Sequence, residues 1–250
     1  MISYLFLHMS TVQLQGGLGN QLFQLAFLEY ISENCMFLTT LKSPSTIHST
    51  EQYFETIFKC WKDIYIPDID ILHYFNEPLN MIYDKKPNTC YVGYFQRYEY
   101  VESVRESFIS KLCFDKSILS KYPDITQKTF IHIRGTDYIK NCIHDIGLHS
   151  NTYYKKCIEK TPFKDLVVFT NDINYANKFF PNVPMIQESE VDSLFLMSQC
   201  AACICANSSF SWWGAYLNPN RPIFMPSKWY TDNTYQGNYY FNGVTVIKIS

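Results

Sequence analysis

From residue 129 onward, short apolar runs alternate with segments of helical spacing, and this alternation limits the fold more than any other feature of the chain. Strands are predicted at "TFIHI" (129–133), "DLVVFT" (165–170), "CAACICA" (200–206) and "RPIFM" (221–225). Helices are predicted between them, near 151–160, 173–179, 190–199 and 209–217. Successive strands joined through helices run parallel, and both faces of their sheet are covered. The first half is less regular. "STVQLQ" (10–15) and "TCYVGYF" (89–95) read as strands, "NQLFQLAFLEYISE" (20–33) and "YEYVESVRESFISKL" (98–112) as helices. Pro44, Pro67, Pro78 and Pro87 break up residues 40–88, where no element is assigned. The polar stretch "DKSILSKYPDITQK" (115–128) reads as a connection. The pattern predicts an α/β chain of two Rossmann-like domains, 1–125 and 126–250, with parallel sheets facing a cleft.

Ligands of such sheets bind beyond the carboxyl ends of the strands, and the reactive side chains of this sequence fall there. "IHIRGTDY" (131–138) brings His132, Arg134 and Asp137 to one strand end. His132 and Arg134 share a face, opposite Ile131 and Ile133. An Arg134–Asp137 surface pair would contribute only about 0–1 kcal/mol. The strand-end position favours the other reading, in which the planar fork of Arg134 meets a phosphate or carboxylate and Gly135 clears space for it. "ANSSFSWWGAYLNP" (206–219) runs from strand into helix with Asn207, Ser208, Ser209 and Ser211. One such residue suffices for an N-cap, whereas four, beside the leading N–H groups of a helix, suit an oxyanion or phosphate.

Two further segments read either way. In "FTNDINYA" (169–176) Asp172 caps the next helix or reaches a ribose or base edge. In "QGGLGNQLFQ" (15–24) Gly16, Gly17 and Gly19, followed by Asn20 and Gln21, form a tight turn or a ligand loop. The G-G-x-G spacing without a later glycine is not a dinucleotide fingerprint.

Composition removes several classes of function. A net charge of −2 argues against non-specific nucleic-acid binding, which depends on phosphate neutralisation. The opening run "MISYLFLHMSTVQLQ" falls far short of the roughly 20 apolar residues of a membrane span. Nine cysteines without regular spacing, and no stretch resembling a signal peptide, predict free thiols and a cytoplasmic location. Cys200, Cys203 and Cys205 lie in an alanine-rich run without a partner cluster, and read as buried strand rather than metal ligands. Asp68-x-Asp70 reads as loop. The 20 Tyr, 19 Phe and 4 Trp are expected mainly in the core.

These residues reach as far as nucleotide-diphosphate-dependent group transfer, with Arg134 and oriented N–H and O–H donors in place of a divalent cation. Four segments, "GGLGNQLFQ" (16–24), "GYFQRYEYV" (93–101), "HIRGTDY" (132–138) and "NSSFSWWGAYL" (207–217), carry a resemblance to the α-1,2-fucosyltransferases of glycosyltransferase family 11. "GLHSNTYYKKCI" (147–158) and "VVFTNDI" (167–173) follow in family-like order. The resemblance implies a GT-B fold, with 1–125 on the acceptor side and 126–250 binding the GDP-sugar. It further implies GDP-β-L-fucose as donor, a galactose-containing glycan as acceptor, inversion to an α-linkage, and no metal or other cofactor. By position Arg134 contacts the donor β-phosphate and His132 supports that strand end. Asn207, Ser208, Ser209 and Ser211 surround the diphosphate, Asp172 serves the nucleoside, and Gly17, Gly19 and Asn20 line the cleft. The general base stays open among Asp137, His144 and Asp145. Gly135-Thr136 stands where the family pattern has Arg-Gly, and a threonine there is similar to the α-1,6-fucosyltransferases, so linkage also stays open. A GDP-sugar-binding or lectin-like protein without catalysis is the alternative.

Overall fold

The computed structural model describes residues 10–32, 36–40, 50–65, 74–76, 89–135, 144–148, 152–232 and 238–249. Among these every ladder is parallel, in two sheets. The first contains β1 (Ser10–Leu14), β2 (Met36–Thr40), β3 (Tyr74–Asn76) and β4 (Cys90–Val92), in the order β2-β1-β4-β3. The second contains β5 (Thr129–Ile133), β6 (Leu166–Thr170), β7 (Met185–Ile186), β8 (Ala202–Ile204), β9 (Ile223–Pro226) and β10 (Val244–Ile247). Its order is β10-β9-β8-β5-β6-β7. The chain winds outward from β5 to β7, returns to the other side of β5 as β8, and winds outward again. The reversal therefore falls between β5 and β8, and in the smaller sheet between β1 and β4. Crevices at such reversals are where α/β sheets take ligands.

The helices are α1 (Leu18–Ile31), α2 (Glu51–Phe54), α3 (Tyr98–Ser103), α4 (Arg105–Ser110), α5 (Tyr153–Lys160), α6 (Ile173–Ala176), α7 (Glu190–Gln199) and α8 (Ser209–Tyr216). The expected helix over 98–112 is interrupted at Val104, where φ is −119°. The Ser103 hydroxyl donates to the Tyr100 carbonyl at 2.8 Å and competes with the helical ladder there. The expected strand over 89–95 ends at Val92. Four strands, β2, β3, β7 and β10, have no counterpart in the sequence pattern.

The chain divides into two compact units, Met1–Cys113 with Tyr235–Tyr239, and Phe114–Thr234 with Tyr240–Ser250. The division falls after residue 113 rather than 125, because the stretch read as a connection packs on the second unit. Its Lys116–Lys121 and Ile125–Gln127 segments form 3-10 turns. Phe114 stacks on Phe195 with ring centroids 5.2 Å apart, and Ile125 is buried. Asn238 and Tyr239 return to the first unit: the Asn238 carbonyl accepts the Tyr98 N–H at 2.8 Å.

Among the described residues most rings are core. Trp212, Trp213 and Tyr216 of α8 are buried and pack on one another, with Phe241 against Trp212 and Tyr216. Helix α8 crosses α7 so closely that a Cβ on Gly214 would lie 2.9 Å from Cβ of Met197. Arg221, just before β9, ties the ends of both helices. Its Nη2 donates to the Gly214 carbonyl at 2.6 Å and its Nε to the Asn218 carbonyl at 2.9 Å. Its Nη1 reaches the carbonyls of Met197 (3.0 Å) and Cys200. These carbonyls lie near helix C-termini, where intrahelical donors run out and a cation is favoured. Cys200, Cys203 and Cys205 are all buried, and burial pushes the Cys203 thiol up to about 12.

Candidate functional site

Strand β5 is buried along its whole length, since β6 and β8 flank it. Its carboxyl end opens into a cavity of about 120 Å³ in the second unit. His132 and Arg134 line one side, with Phe169, Thr170 and Asn171 from the end of β6 beside them. Glu188, Glu190 and Ser193 form a second wall, and Phe210 of α8 completes it. His132 is only 3% exposed, so it is a buried imidazole at the cavity floor rather than a surface group. Its carbonyl accepts the Tyr154 hydroxyl at 3.0 Å, and its ring centroid lies 5.8 Å from that of Phe210.

Gly135 serves a purpose other than the one read from sequence. A Cβ there would lie 2.6 Å from Cβ of Asp172, so the missing side chain makes room for Asp172 and not for a ligand of Arg134. The Gly135 N–H donates to Oδ1 of Asn171 at 2.9 Å, which pins the end of β5 to the end of β6. Asp172 is the N-cap of α6, its Oδ1 accepting the Tyr175 N–H at 2.9 Å. Gly135→Ala is therefore expected to destabilise the protein by about 1–3 kcal/mol, the usual cost of overpacking. Urea melts read this directly, and the variant should also bind nucleotide more weakly as the two strand ends separate.

The segment after β8 divides its polar groups between structure and the site. The Asn207 amide is spent on backbone, donating to the carbonyls of His144 (3.0 Å) and Trp229 (2.8 Å). The Ser211 hydroxyl is fully buried and donates to the carbonyls of Ala206 and Ser208. Ser208 is the N-cap of α8 in extended conformation, but its side chain caps no N–H. Ser209 opens the helix. Asn207 thus brings the His144 loop to the strand end, while the leading turn of α8 lies beside Phe210 of the cavity wall. Asp145 is exposed and its Oδ1 accepts the Gly147 N–H at 3.1 Å. Asp137, Asp68 and Asp70 lie outside the described residues.

Gly17, Gly19 and Asn20 belong to the first unit, at the β1/β4 reversal. Gly16 requires its φ of +76°, and a Cβ there would lie 2.6 Å from Nδ2 of Asn20. Asn20 Oδ1 accepts from Nε2 of Gln96 at 2.8 Å, and Nε2 of Gln24 donates to the Gly93 carbonyl at 2.8 Å. These amides join the glycine turn to the chain after β4.

Sequence reasoning missed Glu188, Glu190 and Ser193. The available signal was the helix-start pattern Ser189-x-x-Asp192, in which Ser189 Oγ accepts the Asp192 N–H at 3.1 Å and donates to its Oδ2 at 2.7 Å. Glu188 accepts from Lys121 and from the Tyr122 hydroxyl, both at 2.5 Å. The Lys121 bond, then the Tyr122 bond, hold its carboxyl below the ordinary range. A depressed carboxyl stabilises fully above its unfolded value and loses that contribution as pH falls through the folded one, so the pair is intact at neutral pH. Glu188 consequently meets a ligand as a neutralised group. Among the described residues no cluster of three His, Cys, Asp or Glu is placed to hold a metal ion.

Residues 6–242 match the family described as Glycosyl transferase family 11. The O-antigen biosynthesis glycosyltransferase WbnK of Escherichia coli is 29% identical over 198 residues, a match covering 69% of this chain and spanning 64% of that protein's length. An alpha-1,2-colitosyltransferase of E. coli is 32% identical, with 82% of this chain and 86% of that protein covered. Among solved structures, the glycosyl transferase family 9 protein of Veillonella parvula DSM 2008 superposes with a TM-score of 0.51 at 8% identity, covering 96% of this chain and 87% of that one. At that identity the likeness is one of fold, and the two parallel α/β units are of the GT-B class. The family match runs through both reversals and every described strand except β10, and the chain belongs to glycosyl transferase family 11.

Proposed function

We propose that the protein transfers L-fucose from GDP-β-L-fucose to a hydroxyl of a galactoside, inverting to an α-1,2 linkage, with Arg134 rather than a divalent cation compensating the departing diphosphate. The observation that carries this reading is the cavity at the β5/β8 reversal, where Arg134 opens on a pocket next to the start of α8. A guanidinium fork and the leading N–H groups of a helix are suited to phosphate oxygens. Glu190 and Ser193 on the second wall suit the hydroxyl and N–H groups of a nucleoside better than its phosphates.

In the reaction the acceptor oxygen forms a bond to the anomeric carbon as the bond from that carbon to the β-phosphate oxygen breaks. The electron pair leaves with GDP, and the acceptor proton passes to a base. Arg134 acts on the charge that grows on the β-phosphate, the place where a preorganised donor contributes most. A second reading, transfer of colitose, the 3-deoxy counterpart of fucose, is supported by the relative that is an alpha-1,2-colitosyltransferase.

Calorimetric titration of GDP, UDP and NAD in EDTA, followed by turnover of GDP-fucose and GDP-colitose on a β-galactoside with the product linkage read by NMR, tests both readings. Guanosine-selective binding and an α-1,2 product that survives EDTA are expected. Strict dependence on added Mn²⁺, or equal affinity for UDP, would sink the proposal.

A further inference from the structure

The turn after β4 carries a charged pair that the fold leaves incomplete. Phe95 sits at φ +50°, the one non-glycine residue in the left-handed region among those described. A bulky residue there is strained, and such strain persists only where surrounding structure imposes it. Phe95 is held by stacking on Phe27, with centroids 4.0 Å apart and planes 3° from parallel. Its carbonyl accepts the Arg97 N–H at 2.8 Å, closing a three-residue turn. Within that turn Gln96 is anchored on both sides, to Asn20 of the glycine turn and by the Tyr239 hydroxyl. The strained turn thus presents Arg97 at the β1/β4 reversal of the first unit.

Arg97 is not satisfied there. Its side chain is 18% exposed, yet its Nε is buried without a partner. Its nearest acceptor, Oε1 of Glu99, lies 3.7 Å from Nη2, beyond hydrogen-bond range. Glu99 is fixed by Nδ2 of Asn238 on Oε1 at 2.7 Å, while its Oε2 is buried and unpartnered. Buried polar atoms are paired in the great majority of cases, and a buried Nε next to a half-used carboxylate needs an explanation. Nothing in the donor cavity uses this pair, which lies in the other unit.

We propose that Arg97 and Glu99 form a subsite for a hydroxyl-bearing, uncharged sugar of the acceptor glycan. A hydroxyl is both donor and acceptor. Placed about 2.8 Å from each atom, its oxygen closes a triangle across the 3.7 Å gap, accepting from Arg97 and donating to Glu99. An anionic sugar is disfavoured, because Glu99 already offsets the charge of Arg97. The inference rests on glycosyl transfer and on an uncharged acceptor, not on the identity of the donor.

The test uses the full chain with methyl β-D-galactopyranoside and lactose as probes, followed by saturation-transfer NMR, with GDP titrated separately. Wild type should show transfer to both glycosides. Arg97→Met and Glu99→Gln should weaken them about tenfold or more, with GDP affinity within about twofold and a modest fall in Tm, since each leaves the partner's charge without its offset. Glu99→Gln keeps size and shape, so it reports even if Arg97→Met misfolds. Unchanged glycoside binding in both variants overturns the proposal, as does a Tm drop with binding retained, which marks a brace. Loss of GDP affinity alongside overturns it too, as do tighter binding of methyl β-D-galactopyranosiduronate and no transfer from either neutral probe in wild type. If glycosides bind through Arg97 while GDP does not bind at all, the donor reading fails and this one stands.

Discussion

Arg134→Lys is expected to cut kcat/KM by about a hundredfold to a thousandfold, the usual cost of removing one preorganised donor from a growing anion, while leaving Tm unchanged. Lysine keeps the charge, so simple attraction for GDP should persist and GDP affinity should fall by less than tenfold. What lysine lacks is the planar fork that meets two phosphate oxygens at once. The larger loss should therefore appear in kcat, because the charge on the β-phosphate oxygen grows only as the sugar departs. Steady-state kinetics with GDP-fucose and a β-galactoside, paired with calorimetry on GDP, separate the two. Equal losses in GDP affinity and in kcat/KM would mean that Arg134 only holds the nucleotide. Arg134 lines the cavity at the end of β5, so a null result would move the chemistry elsewhere.

The second large effect is on stability. Arg221→Met should destabilise the second unit by about 2–4 kcal/mol. Its guanidinium donates to four carbonyls, those of Asn218, Met197, Cys200 and Gly214. Methionine matches the stem but supplies no donor, and the carbonyls lose their partner at the ends of two packed helices. For a chain of this size that corresponds to a fall in Tm of about 5–15 °C. The same guanidinium stands 5.9 Å from the Phe130 ring of β5, so part of the loss is cation–π attraction. Thermal unfolding of Arg221→Met and Arg221→Lys, with lysine intermediate, measures it. A change below about 0.5 kcal/mol, typical of an exposed position, would show that water replaces these bonds at little cost.

The cores of β5, β6, β8 and β9 were legible because each is a short apolar run, the first three followed by a helical period, and β5 occupies the residues predicted for it. Arg134 was legible as a strand-end charge. The other wall of its cavity was not, because Glu188 and Glu190 come to Arg134 only through the pairing of β7 with β6, and β7 is two residues long. Sequence spacing also cannot say whether an amide is spent. Asn207 looks like a ligand donor, yet its side-chain Nδ2 donates to two backbone carbonyls. Gly135 reads as clearance for a ligand, and only the position of Asp172 shows what it clears. The stretch read as a connection was opaque for a similar reason: a polar run looks like a linker until Phe114 beside it is seen stacked on Phe195.

The first unit is discontinuous, taking Asn238 and Tyr239 from far along the chain to complete the turn around Gln96 and Glu99. During translation this has a cost in time. The ribosome must add the whole of residues 114–234 before those contacts exist, an interval of about 6–25 s at ordinary elongation rates. Through that interval Tyr98 lacks its backbone partner and Gln96 its hydroxyl donor. The leading unit would therefore emerge formed but unlocked, and because the second unit in turn waits for β10, both halves are completed only as the last residues of the chain appear.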